Sequence, residues 1–404
     1  MKLPSLLTRA VRAGIALAGM ALLSACHSSH SAQFTASNAT FPIQTAPFSE
    51  YLRQVKQYLE ANREFIGDDK AAEIAMNMPF ECGEEDSDIG LLLVHGLGDS
   101  PFFFQDIANA MCAKGVRVRT LLLTGHGTKP GDMLTVSYEQ WQNETNFHVE
   151  LFSREVNTLF IGGFSTGANL TTLAAFERSD IAGLVHFSPA FKSRFFVSRL
   201  APYIDKLFPW PNVEEEDNPT RYNSTAMPGF AAYQESVNAL QARLNDKKDA
   251  NSKLHIPVLM VVAEEDSVVD TKTVAEQFKS NFTHPKKCLI WQGQNAPDVM
   301  PQHLMVQSMK RPELRISAAS HMSPLFSKDN AFYGTQSEFR ICDNGQGADN
   351  EHVCKSGGDV WYGPWGYKEE GKVHARLTYN PYFEQLITQL VAFTHIEKTN
   401  GLCR

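Results

Sequence analysis

Short apolar runs alternate with amphipathic segments through the middle of the chain. The runs read "IGLLLVHG", "VRVRTLLL", "IAGLVHF" and "IPVLMVVA", and most of them are almost wholly apolar. Between the first two, apolar side chains recur at helical spacing, at Phe104, Ile107, Ala108 and Met111. A strand that is apolar on both sides has to be covered on both faces, which is typical of a mostly parallel sheet flanked by helices. The sequence therefore predicts an α/β fold for the body of this 404-residue chain.

The stretch "IGGFSTGANL" places Ser165 between Gly163 and Gly167. An apolar segment, 156–162, precedes it, and apolar residues at helical spacing follow it. A serine on a sharp strand-to-helix turn is typical of a nucleophile, and glycines on either side leave room for such a turn. We therefore predict that Ser165 is a nucleophile; an ordinary strand-to-helix turn is the alternative.

A serine hydroxyl needs a base to take its proton, and the base needs an acid to fix its tautomer. On sheets of this kind the acid follows the serine in the chain and the histidine comes last. Asp266 lies just after "IPVLMVVA", where catalytic loops gather, and is the predicted acid. Asp270 is the second candidate for the acid, if that strand ends later. The alternative for Asp266 is a structural role as a helix cap or a surface acid.

The predicted base is His321, which follows a short strand expected in "LRISAAS". Two other histidines fit less well, because His255 precedes its strand and His303 lies in a connection rich in Pro and Gln. A surface histidine is the alternative for His321.

Acyl transfer also needs two preorganised N–H donors for the oxyanion. We assign them to the backbone of Thr166, directly after the serine, and of Leu97, in the loop "HGLGDSP". His95 and His126 precede the serine and are predicted to shape loops.

Two long segments interrupt the alternation of strands and helices. The first, at about 190–254, is rich in aromatic residues and is predicted to be a cap over Ser165. Most of its large apolar side chains are expected to pack the cap onto the sheet, and some to line an acyl groove. These side chains are Phe191, Phe195, Phe196, Leu200, Tyr203, Leu207, Phe208 and Trp210. The second segment, at about 323–378, is predicted to be an insertion stapled by a disulfide.

The N-terminus has the pattern of an export signal. Basic residues are followed by an apolar run, Ala13 to Leu23, which is shorter than the about 20 residues of a membrane-spanning helix. "LSAC" resembles a bacterial lipobox, in which Cys26 is lipidated and becomes the new N-terminus. We divide the chain into a leader (1–25), a tether (26–46) and one catalytic domain (47–404). An ordinary signal peptide and an uncleaved anchor are the alternatives.

The cysteine count is consistent with export. Of seven cysteines, removing Cys26 leaves an even number, which an oxidising compartment could pair completely. The spacing leaves most of the connectivity open and favours only a bond between Cys342 and Cys354, which flank a turn-rich stretch. Buried free thiols are the alternative.

Charge argues against a nucleic-acid partner. The formal net charge is −8, and it falls to −11 without the three basic residues of the leader. The acidic run Glu214 to Asp217 is interpreted as a solvated loop, because no histidine or further carboxylate stands at metal-ligand spacing. No metal or cofactor is predicted.

Taken together, "LLLVHGLGDSP", "LLTGHGTKPGDM", "GFSTG", "AEEDSVV" and "SHMSP" resemble the α/β-hydrolases of the monoacylglycerol lipase, carboxylesterase and serine aminopeptidase-like group. The resemblance covers most of residues 89–324, without the cap. It implies an α/β-hydrolase fold, a triad of Ser165, Asp266 and His321, and an oxyanion N–H from Leu97.

We therefore expect a lipid-anchored serine hydrolase facing the periplasm. Its expected substrates are carboxylic esters of lipid type, such as a monoacylglycerol or a lysophospholipid, cleaved through an acyl-enzyme. One alternative is a peptidase acting on N-terminal residues, with Glu214 to Asp217 binding the substrate amine. The other is a catalytically silent envelope lipoprotein that serves as a binding module.

Overall fold

A computed structural model of the protein describes residues 32–246, 252–395 and 402–404. Its centre is an eight-stranded sheet in the order β1-β3-β2-β4-β5-β6-β7-β8. Only β1 runs antiparallel to its neighbour, and all the other pairs are parallel. The sheet strands are β1 Glu81–Cys82, β2 Ile89–Val94, β3 Arg117–Leu121, β4 Thr158–Phe164, β5 Ile181–Phe187, β6 Val258–Ala263, β7 Lys287–Gln292 and β8 Leu304–Gln307.

Helices connect these strands and continue beyond them. They are α1 Phe48–Asn62, α2 Lys70–Asn77, α3 Gln105–Cys112, α4 Tyr138–Ser153, α5 Thr166–Glu177, α6 Ala201–Ile204, α7 Met227–Leu244, α8 Thr271–Ser280, α9 Ala348–Lys355 and α10 Phe383–Thr394. Two further strands, β9 Trp361–Gly363 and β10 His374–Arg376, form a small parallel sheet of their own.

The apolar runs of the sequence are buried on both faces of the large sheet. In β6 the side chains of Val258, Met260 and Val262 belong to one core cluster, while those of Leu259 and Val261 belong to another. Successive side chains of a strand point to opposite faces, so both faces of this strand are covered. The α/β-hydrolase architecture expected from the sequence is confirmed.

Two element boundaries differ from the sequence-based expectation. The short strand expected directly before His321 is wrong, because the last strand of the sheet is Leu304–Gln307 and residues 312–314 form a 3-10 turn instead. In the sequence, Asn380 followed by Pro381 is typical of a helix cap and a first helical position, but the C-terminal helix begins at Phe383. Asn380 lies just outside that helix, where its side chain accepts a hydrogen bond from the backbone of Tyr382.

The long segment between β5 and β6 lies over the carboxyl ends of the strands. It includes a 3-10 turn at Phe196–Leu200, then α6 and α7. Helix α7 packs against α4 and α5, the helix that follows Ser165. This segment is the cap, and it forms one wall of the serine cavity.

The expectation that most of the cap's large apolar side chains pack onto the sheet is wrong. Phe191 is buried and Trp210 is partly buried, but the other six are between 43% and 80% exposed. These six are Phe195, Phe196, Leu200, Tyr203, Leu207 and Phe208, and we refer to them as the cap patch. They lie on a short 3-10 turn, a one-turn helix and loops, so helical periodicity gives no face that must be turned inward.

Three disulfides connect cysteines of the described residues. Cys82 in β1 is bonded to Cys112 at the end of α3, and Cys288 in β7 is bonded to Cys403 near the C-terminus. The third bond joins Cys342 to Cys354 and closes a loop within the second insertion.

The leader and Cys26 lie outside the described residues. Among the helices that are described, none combines the length and the apolar character needed to cross a bilayer.

Candidate active site

Ser165 lies on a sharp turn between β4 and α5. Its backbone angles are φ 54° and ψ −114°, a conformation that a residue with a side chain rarely adopts. The neighbouring glycines are required by the close approach of the chain. A carbon atom added to Gly163 would lie 2.2 Å from the backbone of Gly167, and one added to Gly167 would lie 1.9 Å from the carbonyl oxygen of Val94. The turn therefore holds Ser165 at the carboxyl end of β4 in a strained backbone conformation.

Asp266 follows the end of β6, and its carboxylate contacts the ring of His321. Its Oδ2 lies 2.6 Å from Nδ1 of His321, and its Oδ1 accepts hydrogen bonds from the backbone N–H groups of Val268 and Val269. The carboxylate is buried, so these three contacts fix it completely. An acid held this way keeps a proton on Nδ1 of His321 and leaves Nε2 free to accept one.

His321 is positioned by its backbone as well as by Asp266. Its carbonyl accepts a hydrogen bond from the hydroxyl of Ser188, and its ring lies against that of Phe164 at 4.9 Å. Ser165 and His321 line the same cavity of about 530 Å³. Among the hydrogen bonds of the described chain, none joins their side chains, as is common for catalytic pairs without substrate.

The three other candidates from the sequence lie elsewhere. Asp270 caps α8, where Oδ1 accepts from the backbone of Thr273 and Oδ2 pairs with Lys192. His255 is exposed, and His303, just before β8, contacts the carbonyl of Lys287 at the start of β7 through Nδ1. None of the three lines the serine cavity.

Leu97 and Thr166 both line the cavity beside Ser165. Thr166 is the first residue of α5, where N–H groups lack partners within the helix. Within the described residues, neither the N–H of Leu97 nor that of Thr166 donates a hydrogen bond to a protein acceptor. Two unpaired donors beside Ser165 are what an oxyanion site requires.

Two buried histidines hold the loop that carries Leu97. His95 contacts the carbonyl of Gly96 through Nδ1 and accepts the N–H of Leu123 at Nε2. His126 accepts the N–H of Gly98 at Nε2. Burial lowers the pKa of His95 to about 4, so its ring is neutral at physiological pH and its Nε2 stays an acceptor.

Apolar side chains from the core and the cap form much of the cavity wall. They come from the sheet side, the cap and the loop of His321, and include Phe103, Phe164, Phe195, Met227, Phe230 and Met322. Phe195 belongs both to the cap patch and to the wall of this cavity, and it is half exposed.

Charged side chains at one end of the cavity were missed by sequence reasoning. Asp99 is buried two residues after Leu97, and burial raises its pKa to about 6 against the opposing effects of Arg221 and His321. Arg221 comes from the cap, and Arg376 comes from β10. Asp99 lies within the motif "HGLGDSP", but no motif marks Arg221 or Arg376, because their position depends on how the cap and the second insertion fold over the sheet.

The acidic run Glu214 to Asp217 is not simply a solvated loop. Glu216 is buried, and its carboxylate accepts the N–H groups of Asn223 and Ser224. Glu214 lines the serine cavity, and its pKa is raised by burial and then by the nearby Asp343. Within the described ranges, no group of three or more His, Cys, Asp and Glu side chains is arranged to hold a metal ion.

A parallel sheet with a strained serine after β4, an acid after β6 and a histidine after β8 defines the α/β-hydrolase class. The comparison with protein families narrows this class. The family model described as serine aminopeptidase, S33 (Hydrolase_4) matches residues 86–293, about half of the chain. The chain belongs to this family.

Individual relatives are more distant. The chain is 27% identical over 194 residues to a thermostable monoacylglycerol lipase of Bacillus sp. (strain H-257), which covers 46% of this chain and 73% of that protein. Among solved structures it resembles a soluble variant of the monoglyceride lipase of Saccharomyces cerevisiae (15% identity, TM-score 0.45, 53% of this chain and 80% of that one). It also resembles a monoacylglycerol lipase of Paleococcus ferrophilus (20% identity, TM-score 0.43, 53% and 87%).

Proposed function

We propose that the protein is a serine hydrolase that cleaves carboxylic esters with an apolar acyl chain. The observation that carries the proposal is the placement of Ser165 and His321 on one largely apolar cavity, with His321 bound to the buried Asp266. The family and the monoacylglycerol lipase among its relatives support hydrolysis of this kind.

The proposed reaction has two steps. His321 takes the proton of Ser165 at Nε2 while the serine oxygen attacks the ester carbonyl, and the oxyanion is held by the N–H groups of Leu97 and Thr166. The alcohol leaves with the proton from His321, and the acyl group stays on Ser165. Water, deprotonated by His321, then releases the fatty acid and restores the serine.

The volume of the cavity, about 530 Å³, and its largely apolar lining support a medium or long acyl chain. Each methylene moved from water into an apolar site contributes about 0.8 kcal/mol. Two carboxylates on the wall, Asp99 and Glu214, favour the alternative of a peptidase that binds a free amine. Arg221 and Arg376 lie on the same wall, however, and oppose the binding of a cation there.

A substrate series tests this choice. With p-nitrophenyl esters, we expect kcat/KM to rise at least about tenfold from acetate to octanoate, because the longer chain is buried on the way to the transition state. Alanine p-nitroanilide serves as the amide with a free N-terminus. If acetate or this amide is the best substrate of the series, the lipid-ester proposal is wrong.

We also propose that the protein is a lipoprotein, anchored through Cys26 in the bacterial envelope and facing the periplasm. The leader pattern and "LSAC" are the support from sequence. Ala32, where the described chain begins, is six positions after Cys26, and an extended connection of that length spans at most about 20 Å. Phe34 packs edge-on against Trp210 of the cap at 5.3 Å. An anchor at Cys26 would therefore hold the cap near the membrane.

The cap patch supports the same orientation. Six large apolar side chains within 14 residues are exposed, and surfaces of this kind mark binding sites for other apolar surfaces. Phe195 connects the patch with the serine cavity. A bilayer under the patch would place lipid substrates at the cavity entrance.

Cys26→Ser tests the anchor. Wild-type protein should sediment with membranes and incorporate labelled fatty acid, whereas Cys26→Ser should incorporate none and should be released by an alkaline wash. Ser29→Ala is the matched control in the same segment and should behave as wild type. Equal labelling of wild type and Cys26→Ser would contradict the proposal.

A further inference from the structure

The serine cavity and a second cavity share a pair of arginines in their linings. The second cavity has a volume of about 540 Å³. Arg221 and Arg376 line both cavities, as do Glu214 and Asn223. The two arginine side chains therefore lie between the two spaces.

Neither arginine of this pair has a close carboxylate partner. Nε of Arg221 is buried and, within the described chain, has no hydrogen-bond acceptor; its nearest carboxylate oxygen, on Asp99, is 3.9 Å away. Arg376 donates from Nε to the side-chain oxygen of Asn344 at 2.7 Å and from Nη2 to the carbonyl of Asp343 at 3.3 Å. Both of these acceptors are neutral.

Among the described residues, the buried arginines are paired closely with carboxylates, whereas Arg221 and Arg376 are only partly buried. Arg63, Arg117 and Arg119 each lie within 3.0 Å of a glutamate oxygen. Removing a guanidinium from water without such a partner is unfavourable, so a pair that lacks one is suited to an anion from outside. Burial, and then repulsion from Arg221, lower the pKa of Arg376 to about 9, which leaves it charged at neutral pH.

Beyond the arginines, the second cavity is mostly acidic. Its wall carries Glu214, Glu215, Asp217, Asp343 and Glu351, with Lys355 paired to Glu351. A ligand that was only anionic would be repelled by this wall. A ligand whose anionic group is followed by a cationic end would meet a partner for each charge.

We propose that the two cavities together bind a monoacyl ester whose alcohol portion carries a phosphodiester and, beyond it, an amine. The acyl chain lies in the apolar part, the phosphate between Arg221 and Arg376, and the amine among the carboxylates of the second cavity. The inference rests on the proposed ester hydrolysis and specifies its substrate. On cleavage, the glycerophosphodiester leaves as the alcohol with the proton from His321.

Arg376, one of the two arginines of the proposed phosphate site, lies outside the region that matches the family model. It belongs to β10 of the second insertion, whereas the family match ends at residue 293. Arg221 comes from the cap, within the match. The specificity is therefore a property of the way this chain's insertion closes against its cap.

The test compares three substrates with the same palmitoyl chain in mixed detergent micelles. They are lysophosphatidylethanolamine, lysophosphatidic acid and monopalmitoylglycerol. For the wild-type full-length protein, we expect kcat/KM for the zwitterionic substrate to exceed that for the neutral glycerol ester by at least about tenfold, because charge-assisted bonds to phosphate are strong. Lysophosphatidic acid, which has no cationic end, should fall below the zwitterion.

Two double variants assign the effect to the arginines. R221M/R376M should reduce the zwitterion-to-glycerol ratio to about one, and R221K/R376K should retain part of it, since lysine keeps the charge but not the bidentate geometry. R199M is the matched control, because Arg199 lies on the cap outside both cavities. Hydrolysis of p-nitrophenyl octanoate is measured in parallel.

The outcomes separate this inference from the proposed function. If wild type hydrolyses none of the esters, including p-nitrophenyl octanoate, the proposed function fails. If it hydrolyses them but prefers the glycerol ester, or if R221M/R376M lowers every rate by the same factor, the anionic subsite is wrong. A faster reaction with lysophosphatidic acid than with the zwitterion would overturn the role of the acidic wall.

Discussion

Replacing Ser165 with alanine should lower kcat for ester hydrolysis by on the order of 10⁵-fold or more, because the acyl group of the proposed intermediate is carried by the Ser165 hydroxyl. The hydroxyl of Ser165 makes no hydrogen bond within the described residues, so its removal leaves no partner unsatisfied. The free energy of unfolding should therefore change by less than about 0.5 kcal/mol. Steady-state kinetics and thermal unfolding of the purified variant check the two parts separately.

A fluorophosphonate probe extends this test to the catalytically silent alternative. The wild-type protein should be labelled on Ser165, and Ser165→Ala should not be labelled. Ser280→Ala, on α8 and outside the cavity, is the matched control and should be labelled like wild type. Wild-type protein that resists the probe, or a Ser165→Ala variant that keeps full activity, would end the triad hypothesis.

The sheet and the sharp turn at Ser165 could be predicted because the interactions that determine them are local. A strand buried on both faces has to be apolar almost throughout, and "IPVLMVVA" shows this directly in the sequence. At the turn, the backbone of Val94 approaches so closely that position 167 has no room for a side chain. The physical requirement and the sequence pattern are therefore the same at these places.

The cap and the second insertion could not be predicted in the same way. The side chains of Phe196, Tyr203 and Phe208 are apolar but exposed, and sequence gives no sign of whether a surface outside the chain covers them. The junction of Arg221 and Arg376 joins residues 155 positions apart on separate excursions from the sheet. Contacts of that kind depend on tertiary packing, which leaves no periodic signal.

The prediction of His321 can rest on the order of residues along the chain rather than on local structure. His321 was assigned on the basis of a strand expected just before it, yet the residues there form a 3-10 turn and an isolated bridge. The order of serine, acid and histidine along the chain predicts the same residue without that strand, because the parallel topology brings loops after successive strands to one edge. The contact between His321 and Asp266 agrees with this prediction.

The acid of the proposed triad is tested by replacing one oxygen of its carboxylate with an NH₂ group. Asp266→Asn should lower kcat by about 10⁴-fold with little change in KM for a short ester. The asparagine oxygen can still accept the N–H groups of Val268 and Val269, so the loop keeps its shape. Its NH₂ group then faces Nδ1 of His321, which has to become an acceptor, and the proton moves to Nε2, where it blocks the base.

Asp270→Asn is the matched control, because it makes the same chemical change four residues away. Asparagine caps a helix as well as aspartate does, so the bond from Thr273 to this side chain is retained. The ion pair with Lys192 is lost, but it is partly exposed and contributes less than about 1 kcal/mol. Activity should stay within about threefold of wild type. Kinetics of both variants on p-nitrophenyl octanoate decide the assignment: if Asp270→Asn has the large loss and Asp266→Asn the small one, the acid is Asp270 and the interpretation of the 2.6 Å contact with His321 is wrong.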